Sequence, residues 1–207
     1  MGNTMRPIEN MEDVKRLQYY FNCRGPRDRM LFRLMLQTGY RIGDMVGLLV
    51  GDINEAIDIR YFIIRENKIV NMKKHYCREK GIMFKETDVI PRKVPIPLDF
   101  IKELKKYIEN KKDNEYMFPS RNNGFHISED RFGKILSEAG RECGIKEHIC
   151  NHTLRKTYAL NIQIITGDIS KTQMMLAHSC KEATEKYLGI DMIMFKNTMD
   201  ALNNRYK

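Results

Sequence analysis

The chain has 207 residues, 42% of them hydrophobic, enough to bury one domain-sized core. Lysine and arginine outnumber aspartate and glutamate 36 to 27, a net charge of +9 that favours a polyanionic partner. No apolar run approaches the ~18–20 residues of a membrane span and no signal peptide opens the chain. Five cysteines without a C-x-x-C pair suit a reducing cytoplasm rather than a disulfide framework.

Residues 11–22 place Val14, Leu17 and Phe21 on one helical face, and Gly25-Pro26 closes the segment. A second helix is predicted over 27–38, apolar at Met30, Leu31, Leu34 and Met35. Gly39 ends it, so Arg41 opens a short helix whose Ile42, Met45, Val46 and Leu49 face the core. Between 57 and 97 the pattern changes. IDIRYFII, KIVNM, GIMF and KVPIP are β-branched or aromatic runs between polar turns, which predicts a small antiparallel sheet. Residues 60–93 hold ten Lys or Arg against four acids, usually a solvated face and otherwise a ribbon to lay along phosphates.

Pro97 and Asp99 start a further helix with Ile101, Leu104 and Ile108 on one stripe, and a loop rich in Asn and Gly covers 113–127. Ser128 caps a helix through Phe132, Ile135, Leu136 and Ala139 that stops near Gly144. The tail, 189–207, carries Ile193, Met194, Met199 and Leu202 and is predicted as a last helix. The fold class is α+β: one domain, residues 1–207, mainly helical around a small antiparallel sheet.

The chemistry gathers in HTLRKTYALNIQIITGDISKTQMMLAHSCKEATEKY, residues 152–187. His152 and Arg155 are three apart and share a helical face. His178 follows Arg155 by 23 residues and Tyr187 follows His178 by nine. Gly167 punctuates the first helix, Ser170 can cap the next, and Ser179 with Glu182 makes a capping box before the helix of Tyr187. One Arg, two imidazoles and a phenol suit a phosphodiester, as charge clamp, proton shuttles and nucleophile. Taken singly, each has a plainer reading; Arg41 could pair with Asp44, and Arg155 could be a surface charge. Cys143, His148, Cys150 and His152 lie within ten residues, but C-x4-H-x-C-x-H lacks the paired spacing of a zinc site, so no metal or other cofactor is expected.

H-x-L-R, then L-x-H-S, then a Tyr nine residues on resembles the C-terminal half of the tyrosine recombinase, or phage integrase, catalytic domain. TGYRIGDMVGLLVGDI at 38–53 is similar to that family's first arginine box, with Arg41 followed by Asp44. FKETDVIPRKVPIP at 84–97 resembles the hairpin that carries its catalytic lysine. The resemblance covers about residues 10–190, with Ala177 in place of the Gly usual before the second His.

The resemblance implies an enzyme that cleaves and rejoins DNA through a 3′-phosphotyrosyl intermediate, without metal or ATP. Arg41 and Arg155 would clamp the phosphate, Tyr187 attack, His152 move a proton and His178 bond the phosphate. The general acid would be Lys85, with Lys93 and Lys80 as rivals, and Lys73, Lys74, Arg92 and Lys93 would touch DNA. Double-stranded DNA and further copies of the chain, four on DNA, are the implied partners, with 189–207 docking between protomers. With only 40 residues before Arg41, the family's separate N-terminal clamping domain is expected to be absent. A topoisomerase or plasmid-transfer nicking enzyme would use a similar cluster. A non-catalytic DNA binder is the alternative from another class.

Overall fold

A computed structural model describes residues 5–121, 124–176 and 181–188, the last without the side chains of Lys181, Ala183, Lys186 and Tyr187. The expectations placed on His178, on the Ser179 capping box and on the tail helix lie outside the described residues.

Helix α1 (Met11–Arg24) starts where the Asn10 side chain accepts the Glu12 N–H, and buries Val14, Leu17 and Phe21 as predicted. Helix α2 (Pro26–Thr38) lies against it, and Phe21 stacks on Phe32 with centroids 4.4 Å apart. Gly39 ends α2 at φ 60°, and the ring of Tyr158 fills the space where a side chain at 39 would stand. The chain then turns into α3 (Ile42–Met45), with Arg41 as its N-cap residue. Helix α4 (Val50–Ile59) follows and buries Val50, Ile53, Ala56 and Ile57.

The sheet is smaller than the sequence suggests. Among the described residues it has two antiparallel strands, β1 (Tyr61–Ile64) and β2 (Arg92–Pro95), with Phe62 opposite Val94 and Ile64 opposite Arg92. Phe62 and Val94 point into the core while Ile63 and Lys93 stand outside, the period-two alternation of a half-buried sheet. The run IDI is the end of α4 rather than a strand. KIVNM, also predicted as strand, lies in helix α5 (Asn67–Glu79), and GIMF is irregular. Ile69 and Val70 are β-branched, but with Lys73 and Cys77 they recur at helical spacing and form the shielded side of α5.

Helices α6 (Leu98–Ile108) and α7 (Glu129–Glu142) follow the predicted stripes, and Ser128 Oγ accepts the Arg131 N–H at 3.2 Å. Helix α8 (Asn151–Thr166) runs through the interior and ends at Gly167. Helix α9 (Ile169–Leu176) is started by Asp168, whose carboxylate accepts the Ser170 N–H at 2.8 Å, so the cap falls two residues before the Ser170 expected from sequence. Helix α10 (Lys181–Leu188) carries Tyr187. The main core runs from α1 through α8, and a second cluster of Tyr158, Ala159, Leu160, Leu176 and Leu188 seats α9 and α10 on α8. No described helix is long and apolar enough to cross a membrane.

Candidate active site

The site is built on a residue that carried no signal in the sequence. Glu66, between β1 and α5, is 2% exposed, and three arginines converge on it. Arg155 Nη1 donates to Glu66 Oε2 at 2.8 Å, and Arg41 Nη1 pairs with the same oxygen. Arg92 Nε donates to Oε1 at 2.9 Å. Arg41 and Arg155, 114 residues apart in sequence, therefore meet at one atom.

Backbone carbonyls fix the guanidiniums further. Arg155 Nη1 also donates to Gly39 O at 2.7 Å, and its Nη2 to Leu176 O at 3.0 Å. Arg92 Nη1 donates to Thr38 O and to Met175 O, both at 2.8 Å, and its guanidinium lies over the Tyr40 ring, 3.6 Å from the centroid. The last carbonyls of a helix lack partners within it, so the end of α9 is a natural seat for two cations. Burial lowers the Arg92 pKa and Glu66 offsets this, yet an arginine stays charged in any such setting. Three guanidiniums thus face Glu66 and the buried Asp44, whose own pKa burial raises. The excess is positive, in a setting where charge is weakly screened.

Asp44 takes a different role from the ion pair with Arg41 that is the plainer reading of the sequence. Its Oδ1 accepts the Asn67 N–H at 2.8 Å and so anchors the start of α5, while the carboxylate partner of Arg41 is Glu66. Arg92, expected on the DNA-facing surface, is 5% exposed and committed to the interior, because its strand position turns it toward Tyr40 and Glu66.

His152, second residue of α8, stands one turn before Arg155 with its imidazole open to solvent on one side. Burial of its other side, then Arg41, Arg155, Lys68 and Lys156, hold its pKa below the usual imidazole value. It is therefore neutral near pH 7 and able to accept a proton. Lys68 was not singled out from sequence. As the second residue of α5 it lines an open groove with Arg41, Gly43 and Asp44, and its charge is among those acting on His152. Lys85 is placed elsewhere, on the arm formed by residues 65–91 between β1 and β2, exposed at the start of a short turn over Glu86–Asp88, with its backbone N–H on Asp88 Oδ2. Lys80 and Lys93 are exposed as well. Lys73 and Lys74 are carried by α5, with their ammonium groups 5.5 and 5.3 Å from the ring centres of Tyr76 and Phe84.

Tyr187 sits on α10, eleven residues beyond the Leu176 carbonyl that Arg155 holds. Another phenol nearby, Tyr158 on α8, is 5% exposed with its pKa raised by burial, poor properties for a nucleophile.

A profile described as the phage integrase family matches residues 9–192. The chain belongs to the phage integrase family. Within it, the chain is 30% identical over 187 residues to the probable integrase/recombinase YoeC of Bacillus subtilis, spanning 90% of this chain and 91% of YoeC. It is 26% identical over 195 residues to tyrosine recombinase XerA of Pyrococcus furiosus, covering 93% of this chain but 60% of XerA. The XerA crystal structure superposes with a TM-score of 0.68 at 20% identity, over 96% of this chain and 65% of that one. The catalytic domain of bacteriophage HP1 integrase matches with a TM-score of 0.52 at 18% identity, over 88% and 86% of the two chains. Phage integrase membership gives the sequence-level resemblance its independent footing, and the fold is that of the recombinase catalytic domains.

Proposed function

We propose that the chain is a site-specific DNA recombinase that cleaves and rejoins strands through a 3′-phosphotyrosyl intermediate. The observation that carries this reading is the meeting of Arg41 and Arg155 on one oxygen of Glu66. Two guanidiniums trained on one carboxylate oxygen are arranged as a clamp for the negative oxygens of a phosphodiester, whose charge grows as the phosphorus becomes five-coordinate. Among the described residues Arg155 commits three N–H bonds, which hold its guanidinium rigidly beside that of Arg41. DNA as partner is supported by XerH, a structural relative solved bound to its difH substrate, with a TM-score of 0.62 at 17% identity.

The Tyr187 phenol oxygen forms a bond to phosphorus and the bond from phosphorus to the 5′ oxygen breaks. His152, neutral at pH 7, takes the phenol proton. A lysine ammonium gives a proton to the departing 5′ oxygen. Lys68, in the groove with Arg41, has the stronger claim over the sequence-based choice Lys85. His178 bonds the phosphate. The phosphotyrosyl bond stores the energy of the broken link, so rejoining needs neither a nucleotide nor a metal. The reaction takes place on cytoplasmic DNA with four copies assembled on it, residues 189–207 docking between protomers.

A duplex nicked just beyond the cleavage point loses its short strand after attack and traps the protein. The full chain is expected to form a covalent adduct on such a substrate, and Tyr187→Phe to form none. Trapping by the Phe variant would remove Tyr187 from the role, and no trapping by the unsubstituted chain on any nicked duplex offered would remove the reading.

A further inference from the structure

The 27 residues between Ile64 and Arg92 hold α5, a 13-residue helix that buries only Cys77. The core thus has little use for this helix, while one of its faces opens on the groove that contains Arg41. Lys68, Asn71, Met72 and His75 line that groove at spacings i, i+3, i+4 and i+7, a single stripe; Gly43 and Glu129 line the other side. Asn71 and His75 are exposed, and Met72 is 59% exposed. Lys73, Lys74 and Arg78 lie on the same helix, so its flanks are basic while its groove-side stripe is mostly uncharged.

We infer that this stripe of α5 lies in the major groove beside the cleaved phosphate and reads base pairs there, an inference that rests on the DNA-cleaving function proposed above. Three physical observations converge on duplex DNA as the occupant. The stripe runs up to the phosphate clamp, because Lys68 at its head lines the same groove as Arg41. A duplex major groove is about 12 Å wide and admits one α-helix, which the exposed arm presents. Lys68 to His75 spans about 10 Å along the helix, roughly three base-pair steps. The chemistry is also that of base reading rather than of phosphate binding alone. An Asn amide can donate to and accept from one adenine edge, a Met side chain can pack on a thymine methyl, and flanking lysines set the register on phosphates. Asp44, by accepting the Asn67 N–H, fixes the helix relative to Arg41, so a base-reading residue is held at a set distance from the cleaved bond. The basic 60–93 region then does more than grip phosphates.

The test is selection of bound duplexes from a randomised pool by the unsubstituted chain, Asn71→Ala, His75→Ala and Lys74→Ala, read by sequencing. The unsubstituted chain is expected to enrich a short preferred sequence. Asn71→Ala and His75→Ala should each lose about tenfold preference at one base pair while keeping the rest. Lys74→Ala should bind every duplex more weakly with the same preferences. Unchanged preferences in both alanine variants, or no enrichment by the unsubstituted chain, would overturn the inference. So would a change of oligomeric state in those variants without a change in base preference, which would give the face to a second copy. Adduct trapping on the nicked duplex keeps the two proposals apart. An adduct with unaltered preferences sinks base reading alone, and an enriched sequence without an adduct sinks the cleavage reading alone.

Discussion

Glu66 and Arg155 face each other at 2.8 Å with 2% of either side chain exposed, and this buried pair joins the root of the basic arm to the interior helix α8. Removing the carboxylate would leave Arg155, Arg92 and Arg41 repelling one another. Glu66→Ala is expected to cost about 3–5 kcal/mol of stability, the usual penalty for stranding a buried charge. Glu66→Gln keeps the shape and should cost less while slowing cleavage, since the two clamp arginines lose their common partner. Urea unfolding of both variants beside the parent checks the order.

The proton donor separates by substrate chemistry. Lys68→Ala should slow cleavage about 10²–10⁴-fold, and a duplex with sulfur at the 5′ bridging position, which departs without protonation, should recover most of that loss. Lys85→Ala should change little on either substrate. Sulfur rescue confined to Lys85→Ala would return the role to the residue chosen from sequence.

Sequence and structure agree where short-range rules decide. Gly39 had to end α2, so Arg41 was legible at the head of a short helix, and three-residue spacing put His152 beside Arg155. Glu66 was not legible because its meaning lies in partners 25 and 89 residues away. The arm was misread because KIVNM is short enough to satisfy both periods, and its isoleucine and valine tipped the reading to strand. Lys68 went unnoticed with it, since a lysine on a supposed strand gives no hint that a helix start places it in the groove that Arg41 lines.

The histidine predicts a pH dependence. The His152 pKa is depressed in the fold, so near pH 7 the group is neutral folded and unfolded, and protonation has no effect on stability there. As pH falls through the unfolded value of about 6.5, the unfolded chain binds the proton more readily, and stability is lost until the depressed folded value is passed. His152→Asn should flatten this part of the curve. The acid limb of the cleavage rate should likewise lie below about 6.5. Thermal midpoints and single-turnover rates from pH 5 to 8 report both.

Gly39→Ala combines two faults. At φ 60° an alanine is strained, and its Cβ would stand 2.2 Å from Cδ1 of Tyr158. A loss of about 2–4 kcal/mol is expected, with Arg155 disturbed through the Gly39 carbonyl it holds. Calorimetry and the nicked-duplex assay should fall together.

Tyr158→Phe gives the contrasting result. The hydroxyl is buried beside the Arg92 guanidinium, so removing it should cost no more than about 1 kcal/mol, the scale of one hydrogen bond. Adduct formation should persist. Its disappearance would make Tyr158 a participant in the chemistry.

The strand pair β1–β2 has a consequence for how such a protein can diverge. Four residues from each strand hold the root of the arm closed, and Glu66 and Asn67, the second and third of the 27 residues beyond, tie it to Arg155 and Asp44. Lengthening or rebuilding a loop costs little, about 0.6 kcal/mol for each doubling. The outer arm can therefore be exchanged between lineages almost freely, provided Glu66, Asn67 and Lys68 stay at its base. Choice of target can drift in this way while the cutting chemistry stands still.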